Sequence, residues 1–198
     1  ATASPQRSAL DAEMLQVDIT TLAQAGENTL ALRLTLTSAT DGLLDLLKLV
    51  GAFSVERSVD GRQRLAAPRT SLEACSWTGQ GYPYYSGLAS FRRRFDLPAG
   101  WQPGSAHRVF LTPKLYDDVV EVIVNGQCAG VQLWPPYGLE ITGYLRPGAN
   151  DLELRVANTL VNLLEAVERP SGLAGPATLT AYNAFVFERK ASDDAPDH

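Results

Sequence analysis

The sequence contains few of the residues on which thiol, metal and histidine chemistry depends. Only two of its 198 residues are cysteine and two are histidine. Two cysteines, Cys75 and Cys128, are too few for a disulfide scaffold or a four-thiolate zinc site; they either pair with each other or are two buried thiols. Because His198 ends the chain, His107 alone could serve a Ser-His-Asp triad, and no Gly-x-Ser-x-Gly segment accompanies it. We expect His107 to be a surface residue.

The sequence also has no excess of positive charge and no long apolar run. Its 17 Lys and Arg are outnumbered by 22 Asp and Glu, which gives a net charge of −5. Nucleic-acid binding needs clustered cations that displace counterions, so no such partner is expected. No stretch approaches the roughly 18 apolar residues of a membrane helix, so no membrane partner is expected. The chain starts at Ala1 without a secretion signal, which indicates a processed or excised chain.

The patterns that are present indicate short strands joined by turns. Sixteen glycines and twelve prolines are spread along the chain, as tight turns require. Alternating apolar residues predict strands at Leu30–Leu36 and Leu152–Val156, each with one face toward a core. Ala89–Phe95 is a further predicted strand. Asn125-Gly126 follows a β-branched run and predicts a hairpin with a type I′ turn.

Two leucine-rich segments have helix signals. Asp41–Val50 has Asp41 as a candidate N-cap and Gly51 as a stop, and Leu160–Arg169 ends at Pro170. Either segment could equally be an apolar loop that closes one end of a sandwich. The polar, acidic Lys190–His198 is predicted to be a tail.

The chain contains an internal repeat. Residues 17–34 match residues 139–156 at a constant offset of 122, and seven of the 18 aligned positions are identical. Each copy is the end of a strand, a Gly-x-Asn turn and an alternating strand. Only the second copy has an Asn-Gly hairpin before it. The first copy is therefore either the tail of a truncated similar domain or a source of extra strands for the second domain.

A set of motifs occurs in a fixed order along the chain. They are Gly81–Gly87 (Gly-Tyr-Pro-Tyr-Tyr-Ser-Gly), the strand Phe91–Phe95, the Asn-Gly hairpin, Trp134–Tyr137, Glu140–Thr142, Leu145–Val156 and Asn158–Asn162. This order resembles the galactose-binding-like, sugar-binding β-sandwich of glycoside hydrolase family 2. It is most similar to the C-terminal domains of bacterial α-L-rhamnosidase-like enzymes. The resemblance covers residues 50–190, and residues 15–55 more loosely.

The resemblance implies an all-β fold, an antiparallel jelly-roll β-sandwich of eight or nine strands, with residues 1–50 as an extension, 51–190 as the sandwich and 191–198 as a disordered tail. It implies a non-catalytic carbohydrate-binding or accessory domain of a secreted or periplasmic bacterial glycoside hydrolase. The alternatives are a domain that braces an absent catalytic domain, or a part of an intact glycosidase. Its expected partners are carbohydrate and the neighbouring catalytic domain, and the resemblance also implies a structural Ca²⁺ ion.

Aromatic side chains can stack on a sugar ring while polar side chains satisfy its hydroxyl groups. The candidate carbohydrate-binding residues are Trp77, Tyr82, Tyr84, Tyr85, Arg93, Trp134, Tyr137, Asn158 and Asn162. The aromatic residues could instead pack a core or an interface, and the asparagines could tie down their own loop. Asp117, Asp118 and Glu121 form an acidic cluster. No catalytic residue is assigned, because adjacent aspartates on an extended segment point to opposite sides.

Overall fold

The structure is a computed structural model that describes residues 5–8 and 14–185. The chain divides into two compact units, Ala1–Leu46 and Leu47–His198. The strands among the described residues are β1 (Gln6–Arg7), β2 (Leu15–Gln16), β3 (Ser54–Arg57), β4 (Gln63–Ala66), β5 (Leu88–Asp96), β6 (His107–Leu115), β7 (Val119–Val124), β8 (Gln127–Gln132), β9 (Leu139–Glu140), β10 (Ala149–Ala157) and β11 (Leu173–Asn183). One helical turn, α1 (Val161–Leu164), and 3₁₀ turns at Thr78–Gln80 and Thr142–Tyr144 accompany them.

The second unit is an antiparallel β-sandwich. One sheet has the strand order β5-β10-β7-β8, and the other has the order β11-β6-β9. Alternate residues of each strand point inward, so Val120, Val122 and Val124 of β7 and Val109 and Leu111 of β6 are fully buried in one shared core. The predicted all-β sandwich is confirmed. The narrower jelly-roll topology stays a prediction.

The β7–β8 connection is the predicted hairpin. Asn125 has φ +51° and Gly126 has φ +80°, the two positive values that a type I′ turn requires. The Asn125 side chain also reaches the loop before β10, where its Nδ2 donates to Tyr144 O at 2.7 Å and to Asn150 Oδ1 at 2.9 Å. The turn residue therefore joins two separate parts of the sandwich.

Strands β5 and β10 contain the predicted segments Ala89–Phe95 and Leu152–Val156, and they pair along all nine residues. β10 also pairs with β7, whereas β5 pairs with no other described strand. On the outward face, Glu153 accepts from Arg92 at 3.1 Å and from Arg155 at 3.0 Å. These two hydrogen bonds, of which the one from Arg92 has the larger effect, lower the pKa of the Glu153 carboxyl to about 2.

The short β3–β4 hairpin is attached to the aromatic segment that follows it. Val55 N donates to Gly81 O at 2.8 Å, and Ser54 Oγ donates to Ala67 O at 2.7 Å. Gly81 has φ +96°, a left-handed conformation that ends the turn at Thr78–Gln80. This turn leads into the segment that contains Tyr82, Tyr84 and Tyr85.

The predicted strand Leu30–Leu36 is wrong within the described residues. The segment pairs with no described strand, and Leu30, Leu32, Leu34 and Leu36 are each more than half exposed. A strand needs neighbouring backbone groups to bind, and alternation alone does not supply them.

Of the two alternatives left open for Asp41–Val50, the helix is wrong, since these residues form bends and irregular chain. An N-cap carboxylate must accept from amides that follow it. Asp41 instead accepts from amides that precede it, Thr37 N at 2.7 Å and Ser38 N at 2.8 Å. Hydrogen bonds from Thr37, and to a smaller extent those from Ser38, lower the pKa of the Asp41 carboxyl. Of the second candidate helix, Leu160–Arg169, only α1 is helical.

Both sequence interpretations of the cysteines are wrong, because Cys75 and Cys128 are free and exposed. His107 is partly buried at the start of β6, and its Nδ1 accepts from Gln102 N at 3.1 Å. This bond closes the turn before the strand. The predicted tail Lys190–His198 lies outside the described residues. Within residues 5–8 and 14–185, no helix has the length and apolar character needed to cross a membrane.

Candidate functional site

Three predicted aromatic residues meet beside β5. Trp77 is almost fully buried, Tyr82 is partly buried and Tyr85 is 40% exposed. The Tyr85 ring lies edge-on to Trp77, with ring centroids 5.9 Å apart, and edge-on to Tyr82 at 6.2 Å. Edge-to-face contacts of this kind are favourable for aromatic rings. The three rings therefore form one cluster that runs from the core to the surface.

Hydrogen bonds with backbone groups hold the hydroxyl groups of Tyr82 and Tyr85 in place. The Tyr82 hydroxyl accepts from Arg69 N at 2.9 Å, and the Tyr85 hydroxyl donates to Leu88 O at 2.9 Å. The indole Nε1 of Trp77 is buried and has no hydrogen-bond partner among the described residues. The tyrosine rings are thus held in position before any ligand arrives.

The aromatic cluster, residues 69–72 and the first half of β5 enclose a cavity of about 360 Å³. This volume lies in the usual range of small-ligand sites, about 300–1,000 Å³. The lining residues are Arg69, Thr70, Ser71, Leu72, Trp77, Tyr82, Tyr85, Leu88, Ala89, Ser90 and Phe91. Apolar walls and a few hydroxyl groups are the combination that a sugar ring requires. We call this space the aromatic cavity.

Arg69 is the one charged residue that lines the aromatic cavity. Its side chain is exposed, and its guanidinium group forms no ion pair with a described carboxylate. A guanidinium group binds a carboxylate through paired N–H donors. The lining of the cavity therefore includes one residue with a cationic side chain that pairs with no described carboxylate.

Asn158 and Asn162 support the aromatic segment from beneath. Asn158 Oδ1 accepts from Gly87 N at 2.9 Å, and its Nδ2 donates to Tyr85 O at 2.9 Å. Asn162 is fully buried, and its Nδ2 donates to Arg169 O at 2.9 Å. Asn158 joins its own loop to the distant Tyr85–Gly87 segment, whereas Asn162 binds the backbone of the loop that follows α1. Neither lines the aromatic cavity.

Three other predicted aromatic residues lie apart from the aromatic cavity. The Tyr84 hydroxyl accepts from Gln63 Nε2 at 3.2 Å and donates to Glu168 Oε1 at 3.3 Å, which joins β4 to the loop after α1. The Tyr137 hydroxyl is buried and donates to Asp118 O at 2.6 Å. Trp134 is 70% exposed in the loop after β8. Tyr84 and Tyr137 therefore have structural contacts, and Trp134 is on the surface.

Arg93 lines a second cavity, of about 380 Å³, on the four-stranded sheet. Its lining residues are Arg92, Arg93, Arg94, Ile123, Gly126, Asp151, Leu152 and Glu153. The two carboxylates there each have an arginine partner, since Asp151 lies 3.6 Å from Arg146 and Glu153 binds Arg92 and Arg155. Glycoside hydrolysis needs one carboxyl with a raised pKa, and the pKa of Glu153 is lowered.

The acidic cluster after β6 is divided between surface and interior. Asp117 is exposed and pairs with Arg169 at 2.8 Å, whereas Asp118 is buried and accepts from Gly172 N at 2.5 Å. Burial raises the pKa of the Asp118 carboxyl. Glu121 pairs with Arg155 at 3.2 Å on the outward face of β7. These carboxylates do not face one another across a cleft, so they provide no acid and base pair.

The described residues contain no cluster of acidic side chains for the expected Ca²⁺ ion. Ca²⁺ takes six to eight oxygen ligands, often carboxylates, and no group of three or more His, Cys, Asp or Glu side chains lies close enough to hold a metal within residues 5–8 and 14–185. Backbone carbonyl oxygens can also bind Ca²⁺. Those of Tyr85 and Arg169 accept hydrogen bonds from the side-chain amides of Asn158 and Asn162. Calcium binding stays a prediction without a ligand set.

Sequence reasoning missed Arg69 and Leu72 as site residues, because they lie in an irregular segment outside every motif. Leu88 was missed because it comes directly before the predicted strand. In the structure, the pairing of β5 with β10 extends the strand to Leu88.

Comparison with known proteins relates part of the chain to glycoside hydrolases. No protein-family model matches the chain. Over 100 residues, the chain is 30% identical to a protein of Formosa agariphila described as "Putative beta-glucuronidase", and the match spans 49% of the chain and 8% of that protein. The proteins that the chain resembles are glycoside hydrolases.

Two solved structures are among those that the chain resembles. The rhamnosidase from Novosphingobium sp. PP1Y has a TM-score of 0.45 and 29% identity over 77% of the chain and 16% of the enzyme. An FMN-binding beta-glucuronidase from Facaelibacterium prausnitzii L2-6 has a TM-score of 0.43 and 19% identity over 68% of the chain and 22% of the enzyme. The chain therefore spans less than a quarter of each of these relatives.

Proposed function

We propose that the chain is a non-catalytic carbohydrate-binding domain of a bacterial glycoside hydrolase, and that the aromatic cavity is its sugar site. The observation that carries the proposal is the cluster of Trp77, Tyr82 and Tyr85 beside a cavity that also presents hydroxyl groups and Arg69. A fold alone does not establish sugar binding. The sequence match to a glycoside hydrolase and the small share of that protein that is matched support an accessory role.

The composition of the cavity favours an anionic sugar. Tyr85 offers part of its ring to solvent, and Arg69 offers an unpaired guanidinium group. A uronic acid has both a ring that can stack on the tyrosine and a carboxylate that can bind the arginine. Secretion to the periplasm or beyond, and a rhamnosidase-like parent enzyme, also belong to this proposal; both rest on the motif resemblance alone.

Titration of glucuronate and of glucose into the intact chain tests the site. We expect a Kd on the order of µM to mM for glucuronate and weaker binding of glucose. Tyr85→Ala should weaken glucuronate binding about tenfold or more, because it removes the exposed ring. Arg69→Met should abolish the preference for glucuronate over glucose, because it keeps an unbranched apolar stem and removes the charged guanidinium group.

Tyr182→Ala is the matched control. Tyr182 is 59% exposed, lies on β11 and contacts Phe110 rather than the aromatic cavity. Equal weakening by Tyr182→Ala and Tyr85→Ala, with both proteins folded, would place the sugar elsewhere and contradict the proposed site. Isothermal titration calorimetry, with a melting curve for each variant, provides both readings.

A second candidate function is to brace a catalytic domain, and one observation favours it. Val131, Leu133 and Trp134 are each more than half exposed around the end of β8. An exposed apolar patch of this kind often marks an interface. Under this alternative the intact chain binds no sugar at millimolar concentration.

A further inference from the structure

The first copy of the repeat has the same local structure as the second. In the second copy, Asn150 Oδ1 accepts from Arg146 N at 2.9 Å, and Asn150 Nδ2 donates to the carbonyl groups of Arg146 and Gly148, each at 2.9 Å. In the first copy, Asn28 binds the corresponding groups. Its Oδ1 accepts from Gln24 N at 2.8 Å, and its Nδ2 donates to Gln24 O at 2.7 Å and to Gly26 O at 3.1 Å.

The turns around these asparagines also correspond. Gly26 has φ +93° and Gly148 has φ +79°. Leu22 N donates to Ile19 O at 2.9 Å, and Tyr144 N donates to Ile141 O at 3.0 Å. All of these pairs are related by the same offset of 122 residues. The sequence repeat is therefore a repeat of backbone structure and of hydrogen bonds.

The surroundings of the two copies differ. Leu154 and Val156 are buried between the sheets, whereas their equivalents Leu32 and Leu34 are 51% and 54% exposed. β10 is a central strand that pairs with β5 on one edge and β7 on the other. Residues 29–36 form no backbone hydrogen bond to another described residue. The first copy thus has the turn of the second copy, and the alternating segment after it has no neighbouring strand among the described residues.

The second copy shows how a hairpin on a neighbouring strand binds the polar groups of the repeat. Asn125, in the hairpin, donates to Tyr144 O and Asn150 Oδ1 and accepts from Asp151 N at 3.0 Å. The equivalent groups of the first copy are Leu22 O, Asn28 Oδ1 and Thr29 N. A hairpin asparagine on a neighbouring strand could bind these three groups at once, in addition to the bonds that Asn28 already makes.

We propose that residues 17–36 are part of a second sandwich of the same kind, in which Leu30–Leu36 binds as a central strand between two antiparallel strands. Its partner is a sandwich domain with equivalents of β5, β7 and the Asn-Gly hairpin. In the second unit these elements precede β10 along the chain, and the described residues before Val17 contain no equivalent of them. The partner is therefore polypeptide outside these 198 residues.

Hydrogen exchange of the intact chain tests whether the segment lacks a partner here. We expect amides of Leu30–Leu36 to exchange close to the unprotected rate and those of Leu152, Leu154 and Val156 at least about 100-fold more slowly. Protection of Leu30–Leu36 at every protein concentration would show that the segment pairs within its own chain. Protection that grows with concentration would show a second copy as the partner. Either result overturns the proposal.

A transplant tests whether the segment fits between two such strands. Residues 139–156 of the intact chain are replaced by residues 17–34, which have the same length. We expect one cooperative melting transition, with residues equivalent to Leu152–Val156 protected from exchange. The control is the same transplant with Leu32→Asp, at the position of buried Leu154, which should not fold. A transplant that is as unfolded as this control would overturn the proposal.

Discussion

Replacing Asn150 with alanine is expected to destabilise the chain strongly, whereas replacing Asn28 with alanine should have almost no effect. Asn150 is fully buried and binds Arg146, Gly148 and Asn125. Each polar group left unpaired in a buried site costs about 1–3 kcal/mol, so we expect Asn150→Ala to lose about 3 kcal/mol or more of unfolding free energy. Urea denaturation followed by circular dichroism measures this loss.

Asn28→Ala is a closely matched control, because it removes the same three intraloop hydrogen bonds from an exposed loop. Water can bind the freed groups there, so we expect a change within about 0.5 kcal/mol. If both variants lost the same stability, residues 17–36 would be packed in this chain. That result would contradict the account of the first repeat as a strand without neighbours.

Replacing Trp77 with alanine should have the largest effect of any substitution in the aromatic cavity. Trp77 is 1% exposed, and its ring lies against Gly172, where an added Cβ would be 2.8 Å from Cε3. Truncation of a buried tryptophan costs about 3–5 kcal/mol. Since this is a large part of the stability of a domain, about 5–15 kcal/mol, we expect Trp77→Ala to melt far below the unaltered chain.

Trp134→Ala is the control for Trp77→Ala, since Trp134 is 70% exposed. We expect it to change the unfolding free energy by no more than about 0.5 kcal/mol. Differential scanning calorimetry of the two variants gives the comparison. A large loss for Trp134→Ala, or a small one for Trp77→Ala, would show that the structure assigns these two tryptophans to the wrong environments.

The elements that could be predicted from the sequence are those whose signal is local. Asn125-Gly126 supplies two positive φ angles by itself, so the hairpin follows from two residues. The alternation of Leu152–Val156 is read correctly because β5 and β7 lie on both sides of β10. The same alternation at Leu30–Leu36 gives no strand among the described residues. Alternation shows which side chains a strand can bury, and it contains no information on whether neighbouring strands exist.

The Asp41 error has a related cause. An aspartate next to a leucine-rich run satisfies an N-cap pattern, but its carboxylate can bind amides on either side. Here the hydroxyl and amide of Thr37 and the amide of Ser38 precede it and bind it at 2.6–2.8 Å. The sequence does not show which of the two sets of donors the carboxylate binds.

The candidate site was predictable in part. The motif Gly81–Gly87 indicated the loop that borders the aromatic cavity. Its adjacent tyrosines separate, since Tyr85 lines the cavity and Tyr84 binds Glu168 on another side. Spacing along an irregular loop does not give side-chain direction. Arg69 reaches the cavity because the Tyr82 hydroxyl binds its backbone, a contact between residues 13 apart that no pattern indicates.

The measurement that tests the central proposal most directly is a glycan array probed with the intact chain and, in parallel, with Tyr85→Ala, in buffer with calcium and in buffer with EDTA. The account predicts that the unaltered chain binds one class of sugar, with acidic sugars preferred, and that Tyr85→Ala loses this signal while it remains folded. Loss of the signal in EDTA would add a metal to the site. A blank array for the unaltered chain in both buffers would contradict carbohydrate binding and leave the bracing of a catalytic domain as the function to test.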